Sequence, residues 1–531
     1  MIDTRYALGS CSLLSLPILF MLGSLLSAFL LHEYRSWRRL AHIPGPAAAH
    51  LSILWLLRHA WRGKLFPCLI EAGDRYGPLA RIGPNLLLCS DPEELRKISG
   101  IRSEYTKGPA YNAARVTDGE TNVVSERDAA KHKALRAKMG PAYSMDVQPA
   151  IDRQVTELIN LIERNYLFET TDRYGDQGRF MNFGQKTHFY ALDCVGDFVF
   201  GEPFGFLERD EDIHSMTEIN DLSLRILTAA GLMPWLTELR SKWPFRYLLP
   251  KKGDKVGFGI LFDFANDLVD RNTATDAKPG NNMMQAFRRS GMTKEQLMQQ
   301  VYVHILAGSD TSSNWVRMTM ICLLTCPPVY LTLQHEIDAA SASGRLSFPV
   351  ATDAETRALP YLDAVLRESM RLHPPSVSPS KLSPDKQVDT VCGFRIPRGT
   401  QVGANVPGIL RSIAIFGRDA TCFRPERWLK AVDETDEGRL ASMKTTLDIV
   451  FGAGKFQCMG RTIAWIEVRK LFVELMRRFD FCIIDNLKPL HVESLAIMVV
   501  HDFNVRVTRR VAAKTEDMGM DAGYVRNYKE C

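Results

Sequence analysis

The chain has 531 residues, of which 46% are hydrophobic and 24% charged, the ordinary composition of a globular protein. Its formal net charge of +5 is too small to indicate a nucleic-acid-binding protein. Length alone predicts about two to four domains, but no linker, charge block or repeat divides the sequence, so one large compact unit is expected. The 11 cysteines are odd in number and scattered, which favours free thiols in a reducing compartment over a disulfide framework.

An apolar run without a single charge occupies residues 6–31. It is long enough for a membrane-spanning helix of roughly 20 residues. Arg35, Arg38 and Arg39 follow the run and outnumber Arg5 before it, so the positive-inside rule predicts a single-pass anchor with the rest of the chain in the cytosol. A cleaved signal peptide is the alternative, which the length of the run and the direction of the charge bias disfavour.

The anchor is predicted at residues 1–34. A basic and proline-rich hinge is predicted to follow it at 35–48, because Ile43-Pro-Gly-Pro46 cannot continue a helix. The body of the protein is expected at 49–510. A tail at 511–531 lacks an apolar period and is expected to be loosely ordered.

Within the body, hydrophobic periodicity predicts a mainly α fold with small β-sheets. A helical pattern at 55–76 is followed by two short strands within 79–90, joined by a Gly-Pro-Asn turn. Asp91-Pro-Glu-Glu has the proline and acids of a helix start. From 145 to the mid-480s most of the chain reads as helix, and the remaining strand-like runs lie near 392–402, 481–485 and 495–508.

Two charged motifs lie on predicted helices. Lys131-His-Lys-Ala-Leu-Arg136 puts His132 and Arg136 four residues apart, on one face, where they suit an anion. The alternative is a solvated basic surface. Glu368 and Arg371 also share a face, and Arg427 in Phe-Arg-Pro-Glu-Arg-Trp supplies a further cation for a buried charge cluster. The alternative there is an exposed helical ion pair.

A long helical pattern from 295 onward contains small and polar residues in its middle, Ala307-Gly-Ser-Asp-Thr-Ser312. Gly308 lacks a side chain, so a small ligand can approach the backbone. The Thr311 hydroxyl can leave a bond to the preceding turn and donate to such a ligand. Asp310 can link that position to bulk protons, as general acid chemistry requires. A Ser/Thr-rich kink in a buried helix is the alternative.

The most informative segment is Phe451-Gly-Ala-Gly-Lys-Phe-Gln-Cys-Met-Gly460, a glycine-rich turn with one cysteine before a helical run. Glycines allow tight folding around the sulfur, and amide N–H groups at a helix start can stabilise a thiolate. Cys458 is therefore suited to be the axial thiolate ligand of a haem iron. A thiolate ligand pushes electron density toward dioxygen bound to the iron and favours cleavage of its O–O bond. The alternative is a buried structural cysteine.

These motifs, in this order, resemble the cytochrome P-450 family over about residues 43–510. The match covers the haem loop Phe-x-x-Gly-x-Arg-x-Cys-x-Gly, the oxygen motif at 307–312, and Glu-x-x-Arg with its later arginine. The resemblance implies haem b with Cys458 as iron ligand, in contact with Phe451, Gly460, Ala307 and Gly308. It further implies catalytic roles for Asp310 and Thr311, propionate contacts from His132, Arg136 and Lys381, and a structural triad of Glu368, Arg371 and Arg427.

Two departures from the family pattern stand out. Phe456 occupies the usual arginine position two residues before the cysteine, and the basic residue is Lys455, one place earlier. Lys455 is expected either to contact a propionate or to face a reductase. The segment 408–417 lacks the His-Arg-Asp-Pro that many members carry there.

The resemblance implies a monooxygenase that hydroxylates an apolar small molecule with O₂ and electrons from NADPH-cytochrome P-450 reductase, with cytochrome b5 as a further candidate donor. Arg81-Ile-Gly-Pro-Asn85 and 102–107 look like the fungal pisatin-demethylase-like group, which implies secondary metabolism of terpenoids, polyketides or alkaloids. Such members reside in the endoplasmic reticulum membrane. The alternatives are desaturation, ring coupling or rearrangement by the same haem, and a non-catalytic haem sensor.

Several segments are expected to line an apolar substrate pocket. They are Tyr111, Val303, Ala307, Thr311, Val377, Ser378, Leu495 and Ala496. Gly231-Leu-Met-Pro-Trp-Leu236 is expected either to dip into the membrane or to pack in the core. Basic residues near the sulfur side are expected either to steer an acidic partner or to be a scattered solvated surface: Lys455, Arg461, Arg469 and Lys470.

Overall fold

A computed structural model describes the chain from residue 37 to residue 510, together with a few residues before 37. The gaps lie at 116–119, 169–179, 240–257 (except 242), 274–281, 378, 386–387 and 430–434. The predicted membrane span at 6–31 lies almost entirely outside the described residues, and the predicted tail at 511–531 lies wholly outside them.

Helices make up most of the described chain, as expected. In order they are α1 Ala47–Leu51, α2 Leu54–Trp61, α3 Leu65–Tyr76, α4 Pro92–Ser99, α5 Ala129–Tyr143, α6 Gln148–Asn165, α7 Phe183–Val195, α8 Phe206–Arg209, α9 Met216–Leu232, α10 Pro234–Leu239, α11 Phe258–Thr273, α12 Met283–Arg289, α13 Lys294–Leu324, α14 Pro327–Ala342, α15 Asp353–Arg357, α16 Pro360–Leu372, α17 Val406–Ile409, α18 Ile413–Phe416, α19 Thr435–Leu447 and α20 Arg461–Arg478.

The strands are short. They are β1 Leu79–Gly83, β2 Leu86–Cys89, β3 Thr106–Lys107, β4 Met181–Asn182, β5 Lys381–Leu382, β6 Asp389–Val391, β7 Phe394–Ile396, β8 Gln401–Ala404, β9 Phe479–Ile483, β10 His491–Ser494, β11 Met498–His501 and β12 Asn504–Arg509. The largest sheet has the order β1-β2-β8-β5-β3, in which only the β2–β8 pair is parallel. Smaller sheets are β4-β12-β9, β10-β11 and β6-β7.

Local sequence signals explain several boundaries. The Asp91 side chain accepts from the N–H groups of Glu93 and Glu94, which starts α4 as the Asp-Pro-Glu-Glu pattern predicts. Thr293 and Gln296 form a capping box at the start of α13. The single helix predicted at 55–76 is wrong, because Gly63 adopts φ of +65° and separates α2 from α3.

The proline-rich segment predicted as a hinge is packed against β1. The carbonyl of Pro44 accepts a 2.7 Å hydrogen bond from the N–H of Arg81. A side chain at Gly45 would reach the Arg81 carbonyl at 2.1 Å, so only glycine permits this approach. The Arg81 guanidinium also donates to the carbonyls of Trp37 and Pro84. These bonds fix where the chain enters the body.

One continuous hydrophobic core joins the helical part to the sheets, and α13 runs through it for 31 residues. Among the described residues, no single helix is long and apolar enough to cross a membrane; α13 and α14, bent by 109° at their junction, pass such a test only as a pair. The expected polar interruption of α13 is present in sequence but leaves the helix unbroken.

Candidate active site

A cavity of about 680 Å³ lies between α13, the 451–460 loop and the largest sheet. Its wall is predominantly apolar. Of the predicted pocket residues, Tyr111, Val303, Ala307, Thr311, Val377 and Ala496 line it, and Ser378 lies outside the described residues. Leu495 is wrong as a lining residue, because it packs with Leu224 and Val499 in a separate small cluster.

The cysteine loop is shaped by its glycines and one backbone bond. The N–H of Cys458 donates to the Phe451 carbonyl at 2.7 Å and closes the loop. Gly452 and Gly454 have φ of +71° and +55°, values that favour glycine. A side chain at Gly454 would lie 2.2 Å from the carbonyl oxygen of Ser99, at the end of α4. Glycine at this position therefore allows the loop to approach α4 closely.

The Cys458 side chain is exposed to the cavity, between Phe451 and Gly460, which both line it. Burial in the surrounding protein raises the pKa of the Cys458 thiol. Hydrogen bonds from the N–H groups of Gly460 and Arg461 oppose that rise, as does the positive charge of Arg136. The helix-start donors expected from the sequence are therefore in place around the sulfur, where a bound cation such as iron would favour the thiolate.

Basic side chains from separate elements gather at the edge of this cavity. His132 and Arg136 on α5 both line it, and Arg136 donates to the Gln457 carbonyl at 2.8 Å. Lys381 on β5 is buried and lies 4.5 Å from the ring centres of Tyr111 and Phe456. The predicted residues His132, Arg136 and Lys381 are thus brought together.

Lys107 on β3 is a further member of this group, which the sequence did not reveal. Its ammonium donates to the carbonyls of Val123 and Val124, at 2.6 and 2.9 Å, and its side chain lines the cavity. The segment containing Lys107 drew attention only as a subfamily signature, because a lone lysine on a two-residue strand has no periodic pattern. Its position became visible only from the β3–β5 pairing, which sets it beside Lys381.

Electrostatics indicates what this group would bind. Burial, with a smaller effect of nearby cations, lowers the pKa of Lys107 and of Lys381 to about 7 each; the cation is Arg136 for Lys107, and Lys107 and Lys455 for Lys381. Burial and the charges of Lys107, Arg136, Lys381 and Lys455 lower the pKa of His132 to about 3. Buried cations that repel one another are stabilised by an anion placed between them. The two propionates of a haem have the required charge, so the residues present fit this cofactor.

Lys455 has its own position in the loop. Its ammonium donates to the Ser103 carbonyl at 2.6 Å, and its nitrogen lies 5.1 Å from the centre of the Phe456 ring. The ring of Phe456, at the family's arginine position, lies 6.2 Å from the ring of His132 and is tilted by 34° against it. Apolar packing thus replaces one cation there, while Lys107 and Lys381 supply charge from the sheet.

On α13, some side chains of the oxygen motif, residues 307–312, face the cavity, whereas others point into the protein interior. Ala307, Gly308 and Thr311 line the cavity, and the Thr311 hydroxyl donates to the Ala307 carbonyl at 2.7 Å. Asp310 is buried and does not line the cavity; its Oδ1 lies 3.3 Å from Nε2 of His188 on α7. The two predicted catalytic side chains are therefore adjacent in sequence and point to different surroundings.

Gly308 has a packing role that the sequence did not reveal. A side chain at this position would place its Cβ 2.7 Å from a methyl group of Val195 on α7. The glycine therefore permits α13 and α7 to approach closely, in addition to opening the cavity wall. This contact holds α7 and its His188 against the oxygen motif.

The predicted structural triad is present and fully buried. Glu368 Oε1 accepts from Arg371 Nη2 and Arg427 Nε, both at 2.8 Å. Its Oε2 accepts from Arg371 Nε and Trp428 Nε1, also at 2.8 Å. The Arg424 N–H completes the set at 3.0 Å. One carboxylate thus ties α16 to the segment that precedes the cysteine loop.

Glu467 on α20 is a second site residue that sequence reasoning missed. It is buried, lines the cavity, and its Oε1 has no hydrogen-bond partner. Burial raises its pKa to about 8, against a hydrogen bond from Ser312 that lowers it. Its only sequence signal is its place in the helix nine positions after Cys458, within an otherwise apolar face.

The basic residues expected on the sulfur side do not form one surface. Arg469 is buried and pairs with Asp363 at 2.8 Å, and Lys470 is buried and pairs with Asp152 at 2.6 Å. Steering of a partner by these two residues is therefore wrong. Arg461 remains partly exposed, paired with Asp448 at 2.7 Å.

Comparisons with known proteins agree with this geometry. The model of the cytochrome P-450 family matches residues 44–504. Cytochrome P-450 monooxygenase ABA1 of Pyricularia oryzae is 34% identical over 487 residues, covering 90% of this chain and 93% of that protein. Cytochrome P-450 monooxygenase aba1 of Botryotinia fuckeliana is 32% identical, covering 88% and 92%. Cytochrome P-450 monooxygenase cicH of Emericella nidulans is 29% identical, covering 90% and 95%.

The fold, the order of the motifs and these matches lead to one assignment. A family model that spans nearly the whole body, together with relatives aligned over most of both chains, carries it. The chain therefore belongs to the cytochrome P-450 family, which implies a monooxygenase with a cysteine-ligated haem.

Proposed function

We propose that this protein is a membrane-anchored monooxygenase of fungal secondary metabolism that hydroxylates an apolar small molecule. The observation that carries the proposal is that the Cys458 sulfur faces an apolar cavity. Thr311 lines the same cavity, and the basic side chains described above lie at its edge. The names of the aligned relatives, all monooxygenases from fungi, support the reaction class. Specialised metabolism is the setting that the fungal resemblance favours.

The cofactor proposed is haem b. Cys458 would hold its iron, and Arg136, Lys107, Lys381 and His132 would hold its propionates. Bound haem supplies dioxygen activation and hydrogen abstraction from carbon. The protein's share is to position the substrate against an apolar wall, to keep bulk water out and to deliver protons.

Proton delivery is assigned to Asp310 and Thr311. The Thr311 hydroxyl faces the cavity and can release its bond to Ala307 to donate a proton there. Asp310, next in sequence, is the acid that would restore that proton. Glu467, whose raised pKa of about 8 keeps it protonated at neutral pH, is a second internal acid in the cavity wall, hydrogen-bonded to Ser312 of α13.

The apolar wall selects the substrate class. Apolar side chains line much of the cavity, among them Leu224, Leu227, Leu232, Val303 and Ile497. Few polar groups converge there, so an apolar skeleton is favoured over a charged metabolite. Terpenoid, polyketide and alkaloid skeletons remain the candidates. Desaturation, ring coupling or rearrangement would use the same residues and is the second candidate function.

The electron donor proposed is NADPH-cytochrome P-450 reductase, with cytochrome b5 as a further candidate. The site proposed is the endoplasmic reticulum membrane, with the body in the cytosol. Exposed apolar side chains on α1, α2 and α10 support a membrane-facing surface: Leu51, Leu54, Trp61, Trp235 and Leu236. In the Gly231–Leu236 segment, Gly231 and Leu232 line the cavity while Trp235 is exposed, which supports a segment that faces the membrane beside the substrate entrance.

The test is the difference spectrum of the reduced protein with carbon monoxide. The Soret band of a thiolate-ligated haem is expected, and Cys458→Ser should replace it with the band of a haem lacking thiolate. Cys482→Ser, at an exposed cysteine on β9, is the matched control and should keep the thiolate band. A wild-type spectrum without that band, in fresh membranes, would remove the proposal.

Location is tested separately with a fluorescent fusion of the full chain and of a version beginning at residue 35. The full chain should mark the endoplasmic reticulum and remain in membranes after alkaline washing. If both versions wash off equally, the anchor proposed at 1–34 is wrong.

A further inference from the structure

Two cysteines that the candidate active site does not use lie side by side. Sγ of Cys89, the last residue of β2, is 3.8 Å from Sγ of Cys392, in the turn between β6 and β7. The two residues are 303 positions apart in the chain, so the tertiary fold brings them together. A disulfide bond is about 2 Å long, so the two sulfurs need to approach each other by roughly 2 Å to form one.

The turn that carries Cys392 has an unusual backbone. Val391 pairs with Phe394, which leaves Cys392 and Gly393 as a two-residue hairpin turn with φ of +50° and +80°. Such a turn prefers glycine, asparagine or aspartate, because both of its residues have positive φ. A cysteine at the first position therefore lowers folding stability relative to glycine. The contact with Cys89 is the feature that a glycine at this position would lack.

The hairpin is fixed to the body of the protein on both of its strands. Val391 on β6 and Ile396 on β7 are buried in the main hydrophobic core. The Tyr105 hydroxyl donates to Asp389 Oδ2, also on β6, at 2.8 Å. These contacts hold the turn against the end of β2, so the two sulfurs meet as part of the packed fold.

The two thiols differ in exposure. Cys89 is fully buried, whereas Cys392 is half-buried, so a small solute reaches the Cys392 sulfur first. Each sulfur also has a carbonyl acceptor for its S–H group. The carbonyl oxygen of Asp91 lies 3.6 Å from the Cys89 sulfur, and that of Pro78 lies 3.7 Å from the Cys392 sulfur.

The two thiols differ in ionisation as well. The S–H of Cys89 can turn from Asp91 to the neighbouring sulfur, and this hydrogen bond lowers the pKa of Cys392. Burial and the charges of Asp91 and Glu94 oppose that effect, whereas the charge of Lys97 adds to it. The same hydrogen bond, together with burial, raises the pKa of Cys89. Cys392 therefore ionises first, and a thiolate is the form that attacks a peroxide.

We propose that Cys89 and Cys392 form a reversible disulfide when the protein meets a hydroperoxide. The Cys392 thiolate attacks one oxygen of hydrogen peroxide, the O–O bond breaks, hydroxide leaves, and a sulfenic acid remains on Cys392. The Cys89 sulfur then attacks the Cys392 sulfur, and the S–OH oxygen leaves as water with the Cys89 proton. In total the two thiols lose two protons and two electrons, and one peroxide is reduced to two waters. This inference does not rest on the proposed function.

The bond would connect parts of the fold that border the active site. Leu88, next to Cys89, lines the cavity, and the Asp91 side chain caps the start of α4. A disulfide would therefore restrain one cavity wall and the start of the helix whose other end meets the cysteine loop. In a reducing compartment such a bond is a transient, redox-sensing state, and a dithiol reductant restores both thiols.

The first test maps the bond in the purified full-length protein. After treatment with a few equivalents of hydrogen peroxide, free thiols are alkylated in denaturant and tryptic peptides are analysed by mass spectrometry. A cross-linked pair of peptides containing Cys89 and Cys392 is expected, and a thioredoxin-type dithiol should abolish it. Cys482→Ser, at the exposed cysteine on β9, is the control and should give the same pair.

Two results of this test would overturn the proposal. One is a peroxide-treated protein in which both cysteines are alkylated. The other is a Cys392 sulfinic acid beside an alkylated Cys89, because the sulfenic acid would then have been oxidised further without meeting the second thiol. Cys392→Ser, in a half-buried turn, should leave Cys89 alkylated and protects the test from a core variant that fails to fold.

The second test measures reactivity and stability. At pH 7, Cys89→Ala should slow alkylation of Cys392 by iodoacetamide about threefold or more, because the Cys392 thiolate loses its hydrogen bond. Peroxide-treated wild type should unfold a few degrees above the reduced protein, since the bond closes a long loop in the unfolded chain, and treated Cys392→Ser should not shift. An unchanged alkylation rate would overturn the role of Cys392 as the attacking thiol. A lower unfolding temperature of the cross-linked protein would show that the fold has to distort to form the bond, against the proposal.

Discussion

Replacing Lys381 by methionine should stabilise the haem-free protein and weaken haem binding. Lys381 is buried, and its pKa falls from 10.5 to about 7 because of burial and the nearby cations Lys107 and Lys455. An unfolded chain holds the lysine proton up to about pH 10, so between pH 7 and 10.5 the unfolded state binds more protons than the folded state. Stability of the folded form therefore rises with pH across that window.

The magnitude follows from this displacement. At pH 7 it corresponds to about 4 kcal/mol of destabilisation, and at pH 9.5 to about 1.5 kcal/mol, on the scale of 1.36 kcal/mol per pH unit. Lys381→Met removes this burden, and methionine fills an apolar site of similar length. Solvent entering the cavity would reduce both figures, so we expect a gain of about 2–4 kcal/mol at pH 7 and less than half of that at pH 9.5.

The assay is denaturant unfolding of the haem-free protein at the two pH values, followed by haem titration. Loss of one charge-assisted contact to a propionate should weaken haem binding about 10- to 100-fold. Lys444→Met, at an exposed position on α19, is the control and should change neither quantity. A Lys381→Met protein that is less stable at pH 7, or whose difference from wild type is the same at both pH values, would refute the electrostatic reasoning.

Three further substitutions test other parts of the site. Glu368→Gln leaves two buried guanidinium groups without their carboxylate and should cost about 3–5 kcal/mol of folding stability. Both the yield of haem-bearing protein and the melting temperature of the purified variant should therefore fall. An unchanged melting temperature would show that the fold does not depend on the carboxylate. Gly308→Ala should cost about 1–3 kcal/mol in thermal unfolding through overlap with Val195, and Val195→Ala in the same chain should restore most of it; failure of that rescue would place the clash elsewhere. Gly454→Ala combines a positive φ with overlap on the Ser99 carbonyl, so the carbon monoxide spectrum should lose much of its thiolate band, and an unchanged band would show that the loop tolerates a side chain.

The linear sequence was sufficient wherever a function needs residues at fixed spacing on one element. Cys458 with its flanking glycines, the 307–312 segment of α13, and the Glu368–Arg371 pair can each be identified locally, because one turn or one helix face sets their geometry. The mainly α class follows for the same reason, since hydrophobic periodicity is a local property. The break of the first predicted helix at Gly63 was missed because glycine permits, but does not require, a positive φ.

Tertiary structure decided what converges from distant elements. Lys107 joins Lys381 only through the pairing of two-residue strands, and neither strand has a pattern that predicts the pairing. Arg469 and Lys470 were placed in the interior by acids on other helices. The direction of Asp310 toward His188, away from Thr311, depends on how closely α13 packs on α7. The sequence by itself determined which reactive and charged side chains the protein has. Because charge and burial act through space, the packing of the helices and strands determined which of these side chains meet in one site.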